Sequence, residues 1–177
     1  MNRLLLLVAL LGLLPAHLVA RGTYQTPDEF LTGVFDGQVP GPRVLWLTGE
    51  RKAAAKKILG HSYPSLRVRY WMRDARSAWI LEEIGKDMPI TFGVVIENGR
   101  LAQIKVLVFR ESRGAEIRHP FFTEQFEGAA LDRELALDRP IDGISGATLS
   151  VRAMKKIAAL ALYLDTQAQL QHVTPSP

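Results

Sequence analysis

The fold class that this sequence predicts is α+β: an antiparallel meander sheet of about four strands, packed with helices and followed by a long C-terminal amphipathic helix. Three observations predict it. Residues 66–73 alternate apolar and polar side chains with a period of two. The pair Asn98-Gly99 joins two apolar runs, and residues 149–170 repeat apolar side chains at helical spacing. At 177 residues the chain is long enough for one domain with a core, over residues 21–172, between a leader at 1–20 and a frayed tail at 173–177.

The leader differs in kind from the rest. Arg3 supplies a positive start, Leu4 to Leu14 is apolar with one Gly, and Pro15 breaks the run before the expected cleavage edge at Ala20. That is the layout of a secretory signal peptide. Its apolar run would rise about 16 Å as a helix, roughly half the hydrocarbon thickness of a bilayer. The alternative is an uncleaved anchor in the inner membrane. Leu18 stands three positions inside the cut where a small residue is usual, so the exact site stays open.

Thr26-Pro27-Asp28-Glu29 reads as a helix start, with Thr as N-cap, Pro in the first turn and acids facing the positive end of the helix dipole. That helix stops near Gly33, and Gly37 to Pro42 is expected to be loop. A second helix is expected after Thr48 and up to Gly60, with Ala54/Ile58 and Ala55/Leu59 as apolar pairs. Leu66, Val68, Tyr70 and Met72 then alternate with Arg67, Arg69, Trp71 and Arg73 in a half-buried strand. Asp74 to Ser77 turns the chain, and Trp79 to Ile84 returns. Ile90 to Glu97 and Arg100 to Phe109 form a hairpin about a type I′ turn, with Glu97 facing Arg100 as an opposite-charge pair. Arg113 to Pro120 is expected to be loop and Phe121 to Phe126 a helical turn. In the last helix Val151, Met154, Ile157, Ala158, Ala161 and Leu164 share one face; Arg152, Lys155, Lys156 and Thr166 share the other.

Composition limits the chemistry. With no Cys, the chain can form no disulfide, thiolate-metal site or c-type haem. His61 and His119 lack ligand-like spacing, so no metal site is expected. No GxSxG elbow and no Walker loop occurs. The formal charge is +4, and losing Arg3 with the leader leaves 21 basic residues against 18 acidic. For an exported chain this balance favours an acidic protein or a membrane surface over nucleic acid.

The segment Asp142-Gly143-Ile144-Ser145-Gly146-Ala147-Thr148-Leu149-Ser150 stands immediately before the last helix. Its small residues let another molecule approach the backbone. The unpaired N–H groups at the helix start favour an anion such as phosphate. Spacing alone leaves a phosphate site and an ordinary Ser/Thr helix cap both open.

Asp142 to Thr148 closely resembles the flavinylation motif of the FMN-binding domain family, which includes flavoprotein subunits of the sodium-pumping NADH:quinone reductase and of the Rnf complex. Val94 to Leu101 resembles the family's hairpin, Glu111-Ser112-Arg113-Gly114 its ETPG loop, and Phe122 to Gly128 its QFxG segment. The likeness covers residues 89–164 in matching order. Ser112 and Arg113 depart from the usual Thr and Pro, and the amino-terminal third has no counterpart. The resemblance implies that a flavin transferase esterifies Thr148 with the phosphate of FMN, and that Asp142, Ser145, Gly146 and Ala147 form the surface it recognises. It also implies cofactor contacts from Gly143, Glu111, Ser112 and Gly114.

The other candidates have plainer readings. Glu111 and Ser112 are either near the cofactor or a polar strand exit. Trp71 either stacks on the flavin ring or packs under Arg stems. Arg51, Lys52, Lys56 and Lys57 are a solvated helix face or a docking surface. The expected function is an exported, periplasmic or extracytoplasmic flavoprotein that carries covalent FMN and exchanges electrons with a redox partner, either a cytochrome or a membrane oxidoreductase. It is expected to act as a carrier or reductase component rather than a stand-alone enzyme, with no nucleic acid and no metal. The alternatives are a module of the same fold without flavin, and a noncovalent phosphate or nucleotide sensor.

Overall fold

The computed structural model describes residues 22–173. The expected leader lies outside the described residues, as does the expected tail apart from Val173, the last residue of the final helix.

The sheet has five antiparallel strands in the order β1-β2-β3-β4-β5: Arg43–Trp46, Arg67–Arg73, Arg76–Ile84, Pro89–Glu97 and Arg100–Val108. The α+β class holds, with one strand more than expected. That strand, β1, pairs with β2 through Val44 opposite Arg69 and Trp46 opposite Arg67. Its four residues follow Pro40-Gly41-Pro42 and bury only Leu45, too short a stretch to show a period. The turn before β3 is tighter than expected: Asp74, at φ 53°, and Ala75 suffice, and Arg76 and Ser77 are already paired with β4.

The β4–β5 hairpin turns at Asn98 and Gly99, with φ 52° and 72°, the two positive values that a type I′ turn requires. Glu97 faces Arg100 in register, but its ion pair runs across the sheet to Arg76, at 3.0 Å. Arg100 turns instead toward Asp138 and the Gly128 carbonyl. The opposite-charge pair expected to fix the register is therefore replaced by longer-range contacts on both sides.

Four helices pack on the sheet: α1 (Pro27–Val34), α2 (Gly49–Leu59), α3 (Pro120–Thr123) and α4 (Thr148–Val173). Thr26 and Glu29 close a reciprocal capping box at the start of α1. Phe30, Leu31, Val34 and Phe35 cover Ala78, Val95 and Leu107 on one face of the sheet. Gly93 leaves room for this layer, since a Cβ there would lie 2.7 Å from the Phe30 ring. On the other face, α2 and α4 bury Leu45, Tyr70, Trp79, Phe92 and their neighbours. The segment expected as loop after Arg113 contains a 3-10 turn, Ala115–Arg118, ahead of α3.

Helix α4 is more deeply set than an amphipathic surface helix. Every residue from Ile157 to Leu162 is buried, and so is Asp165 at 2% exposure. Ser77 Oγ donates to Asp165 Oδ1 at 2.6 Å and accepts from Trp79 Nε1 at 2.8 Å, so the buried acid is held by the sheet beneath it. Burial raises the Asp165 pKa, opposed by hydrogen bonds from Ser77 and Gln169.

Candidate functional site

The loop of residues 142–147 delivers α4 to one side of a cleft. Gly146, at φ 82°, makes the last turn, and the Ala147 N–H donates to the Ile144 carbonyl at 3.0 Å. Ala147 in turn accepts from the Val151 N–H at 2.9 Å. Ala147, Ser150 and Val151 are buried, which turns Thr148 and Leu149 outward. Thr148 is the first helical residue, so the capping position falls to Ala147, which has no side-chain oxygen. The hydroxyl of Thr148 thus stands exposed at the start of a 26-residue helix, where backbone N–H groups lack intrahelical acceptors.

The opposite wall comes from the loop after β5. Ser112 and Arg113 are exposed, while Gly114 is buried against the start of α4. Its φ is 90°, and a Cβ there would lie 2.5 Å from Ser150 Oγ, so only glycine lets the two segments meet. Between them lies a cleft of about 550 Å³ lined by Glu111, Ser112, Arg113, Lys86 and residues 146–150. Small-molecule sites fall in the range of roughly 300–1,000 Å³.

Glu111 has a role that its sequence position does not reveal. One carboxylate oxygen accepts the N–H groups of Lys86, Asp87 and Met88 at 2.5, 2.7 and 2.9 Å. Burial opposes its ionisation, but the three donors together hold its carboxyl below the ordinary value. Glu111 therefore pins the β3–β4 turn to the cleft and places Lys86 on its rim. Lys86 was not among the expected site residues; a Gly-Lys-Asp turn signals only a turn.

Asp142, Gly143 and Ser145 are exposed and stand outside the cleft lining. The Asp142 N–H donates to Gln125 Oε1 at 2.8 Å, which ties the motif loop to the turn at residues 124–126. That turn is itself anchored by Phe122 and Phe126, whose buried rings meet edge to face at 5.5 Å. Gly143 has open space where a side chain would project. This outer surface is accessible to a macromolecule, whereas Gly146, Ala147 and Thr148 face the cleft.

Of the two readings of Trp71 one is removed, and the expectation for Lys156 is corrected. Trp71 packs at the margin of the α1 layer, on the face of the sheet opposite α4, and does not line the cleft. Lys156 does not belong to an exposed basic face. Its ammonium lies 3.1 Å from Glu83 Oε1, and Glu83 is buried at 4% exposure. Arg152 remains exposed and Lys155 half-buried.

The residues present suit a phosphate-bearing cofactor. They combine an exposed hydroxyl at a helix N-terminus, a cleft of ligand size and the cations Lys86 and Arg113 on its rim. Among the described residues no group of three or more His, Asp or Glu is placed to hold a metal ion, and no helix is long and apolar enough to cross a membrane. The family model described as the FMN-binding domain matches residues 85–163. That span takes in the β3–β4 turn, the hairpin, the Glu111 loop and the start of α4, and it leaves β1 to β3 outside. Comparison with curated proteins finds no match. Over residues 85–163 the chain is thus similar to the FMN-binding domain, and flavin binding is the function this match supports.

Proposed function

We propose that the chain holds FMN covalently, through a phosphoester to the Thr148 hydroxyl, and works as an electron carrier between extracytoplasmic or membrane redox partners. One observation carries this reading. Thr148 is exposed at the first position of α4 and lines a cleft with Lys86, Glu111, Ser112 and Arg113. Ester formation joins the FMN phosphate to Oγ1 with loss of one water. The helix N-terminus and the two cations stabilise the phosphate charge, and Gly114 keeps the facing wall close. When bound, the isoalloxazine ring supplies the redox chemistry; the protein supplies attachment, orientation and local charge.

Maturation requires a flavin transferase, for which the exposed loop of residues 142–145 offers an accessible recognition surface. Export rests on the layout of residues 1–20, and covalent attachment keeps the cofactor on a protein working where free FMN is scarce. The redox partner is a cytochrome or a membrane oxidoreductase.

Visible absorbance of denatured, desalted protein from a host with its own flavin transferase tests this reading. Flavin colour that survives both steps supports it. Colour lost on denaturation would point to noncovalent binding, and colourless native protein to a module of this fold without flavin.

A further inference from the structure

Charge is unevenly placed along this chain. Of its 22 basic and 18 acidic residues, eight and one fall between Arg43 and Arg73, which leaves the remainder with 14 and 17. A chain of formal charge +4 therefore holds a strongly cationic segment beside an acidic body. The segment is β1, α2 and β2, one edge of the sheet, and it lies outside the residues that match the FMN-binding domain.

The same edge exposes apolar side chains. Trp46 is 50% exposed, Leu66 51% and Val44 40%. In the β1–β2 ladder Trp46 stands opposite Arg67 and Val44 opposite Arg69. The Arg67 guanidinium lies 5.9 Å from the Trp46 ring centroid. Helix α1 covers this face of the sheet over Ala78, Val95 and Leu107, with Trp71 and Ile80 at its margin, and leaves the Trp46 end uncovered. Arg73 and Arg76 have carboxylate partners in Asp36 and Glu97. Arg67 and Arg69 have none among the described residues. Lys52, Lys56 and Lys57 are exposed on α2, which packs on the opposite face of the sheet and adds to the charge of this end of the molecule rather than to the Trp46 face.

We propose that this β1–β2 edge docks on an anionic phospholipid surface. Trp sits well at the bilayer interface because its ring is apolar with one polar N–H, and Arg and Lys are drawn by acidic headgroups. The cations beside Trp46, Arg67 and Arg69, are spread along an open strand face rather than gathered in a pocket. A bilayer meets such diffuse charge with a continuous anionic plane, whereas a protein partner needs a complementary face of about 800 Å². The inference stands on charge and exposure alone and does not depend on the flavin.

The test uses the full chain with vesicles of phosphatidylcholine alone or enriched in phosphatidylglycerol, some carrying brominated acyl chains. Emission from Trp46 reports the contact, because Trp79 is buried and Trp71 packs against the α1 layer. The expected result is quenching on anionic vesicles only, absent in Trp46→Phe and weakened by salt. Arg67→Gln with Arg69→Gln should lower partitioning by roughly fivefold per cation removed. Unchanged circular dichroism checks that these surface variants keep the fold. Binding indifferent to lipid charge, with Trp46 unquenched, would overturn the proposal. Binding of these arginines to polyglutamate but not to vesicles would overturn it in favour of an acidic protein.

Discussion

Lys156 reaches from α4 to the buried carboxylate of Glu83, with Nζ 3.1 Å from Oε1, and His61 Nε2 approaches the same carboxylate at 3.0 Å. Glu83 ends the inward row of β3, two residues before the turn that Glu111 pins. Lys156 is two turns along the helix that begins at Thr148. The cluster thus fixes α4 to the sheet on the side of the cleft. Glu83→Gln leaves the partly buried Lys156 ammonium without its counter-charge. The expected loss is about 3 kcal/mol, read from the urea midpoint against wild type.

Stability should also fall with rising pH through this cluster. The hydrogen bond to Glu83, then that to the Ser62 carbonyl, raise the His61 pKa above its ordinary 6.5 against some burial and the Lys156 charge. A raised folded value means the contribution is fully present below pH 6.5 and is lost as pH climbs through the folded value. His61→Gln should flatten the urea midpoint across that window.

The pinning of the β3–β4 turn gives the opposite sign. Glu111 has its pKa lowered by three backbone donors acting against burial, so its contribution is present above the ordinary carboxylate value and is lost as pH falls through the folded one. Glu111→Ala should cost about 1 kcal/mol, at the low end for hydrogen bonds to a charged group because the cleft is open to water. Faster amide exchange at Lys86, Asp87 and Met88 is the direct measurement, and it should leave β4 itself protected.

Gly114→Ala should be harsher than its size suggests. The added carbon meets Ser150 Oγ at 2.5 Å in a backbone conformation of φ 90°. A cost of about 1–3 kcal/mol is expected from the strained φ/ψ. Because the wall of the cleft must move, flavin loading should fall as well. A thermal melt and the bound-flavin ratio on one sample check both effects.

Much of this arrangement is legible in the sequence. The Thr26 cap, the Asn98-Gly99 turn and the alternation from Leu66 to Met72 are short-range signals, and each marks an element of the fold, although Leu66 stands exposed just ahead of β2. The loop ending at Thr148 is legible for the same reason. What escapes is long-range. Glu111 is occupied by N–H groups 23 to 25 residues away, and Lys156 by a carboxylate 73 residues away; no local pattern records such partners. Helix α4 reads as amphipathic with Lys156 on its polar face, yet Lys156 is satisfied by buried Glu83, and Asp165 further along the helix is buried and held by Ser77. Strand β1 buries one residue, Leu45, which is too little for a period.

The engagement of Lys156 changes what a docking experiment should find. If exposed Arg152 and half-buried Lys155, with Arg113 of the cleft, steer an acidic redox partner, electron transfer should slow with salt. Arg152→Gln with Lys155→Gln should slow it further without loss of flavin. Lys156→Gln should instead lower stability. Stopped-flow reoxidation across a salt series, paired with urea titrations, separates the two.

The most direct test of the central claim is the intact mass of the denatured chain after coexpression with a flavin transferase, with the modified residue located by peptide fragmentation. The account predicts a gain equal to FMN less one water, carried on Thr148, and no gain for Thr148→Ala. That variant should fold normally, since an exposed first-turn side chain contributes within about 0.5 kcal/mol. An adduct that persists in Thr148→Ala, or a wild-type chain that stays unmodified beside an active transferase, would contradict it.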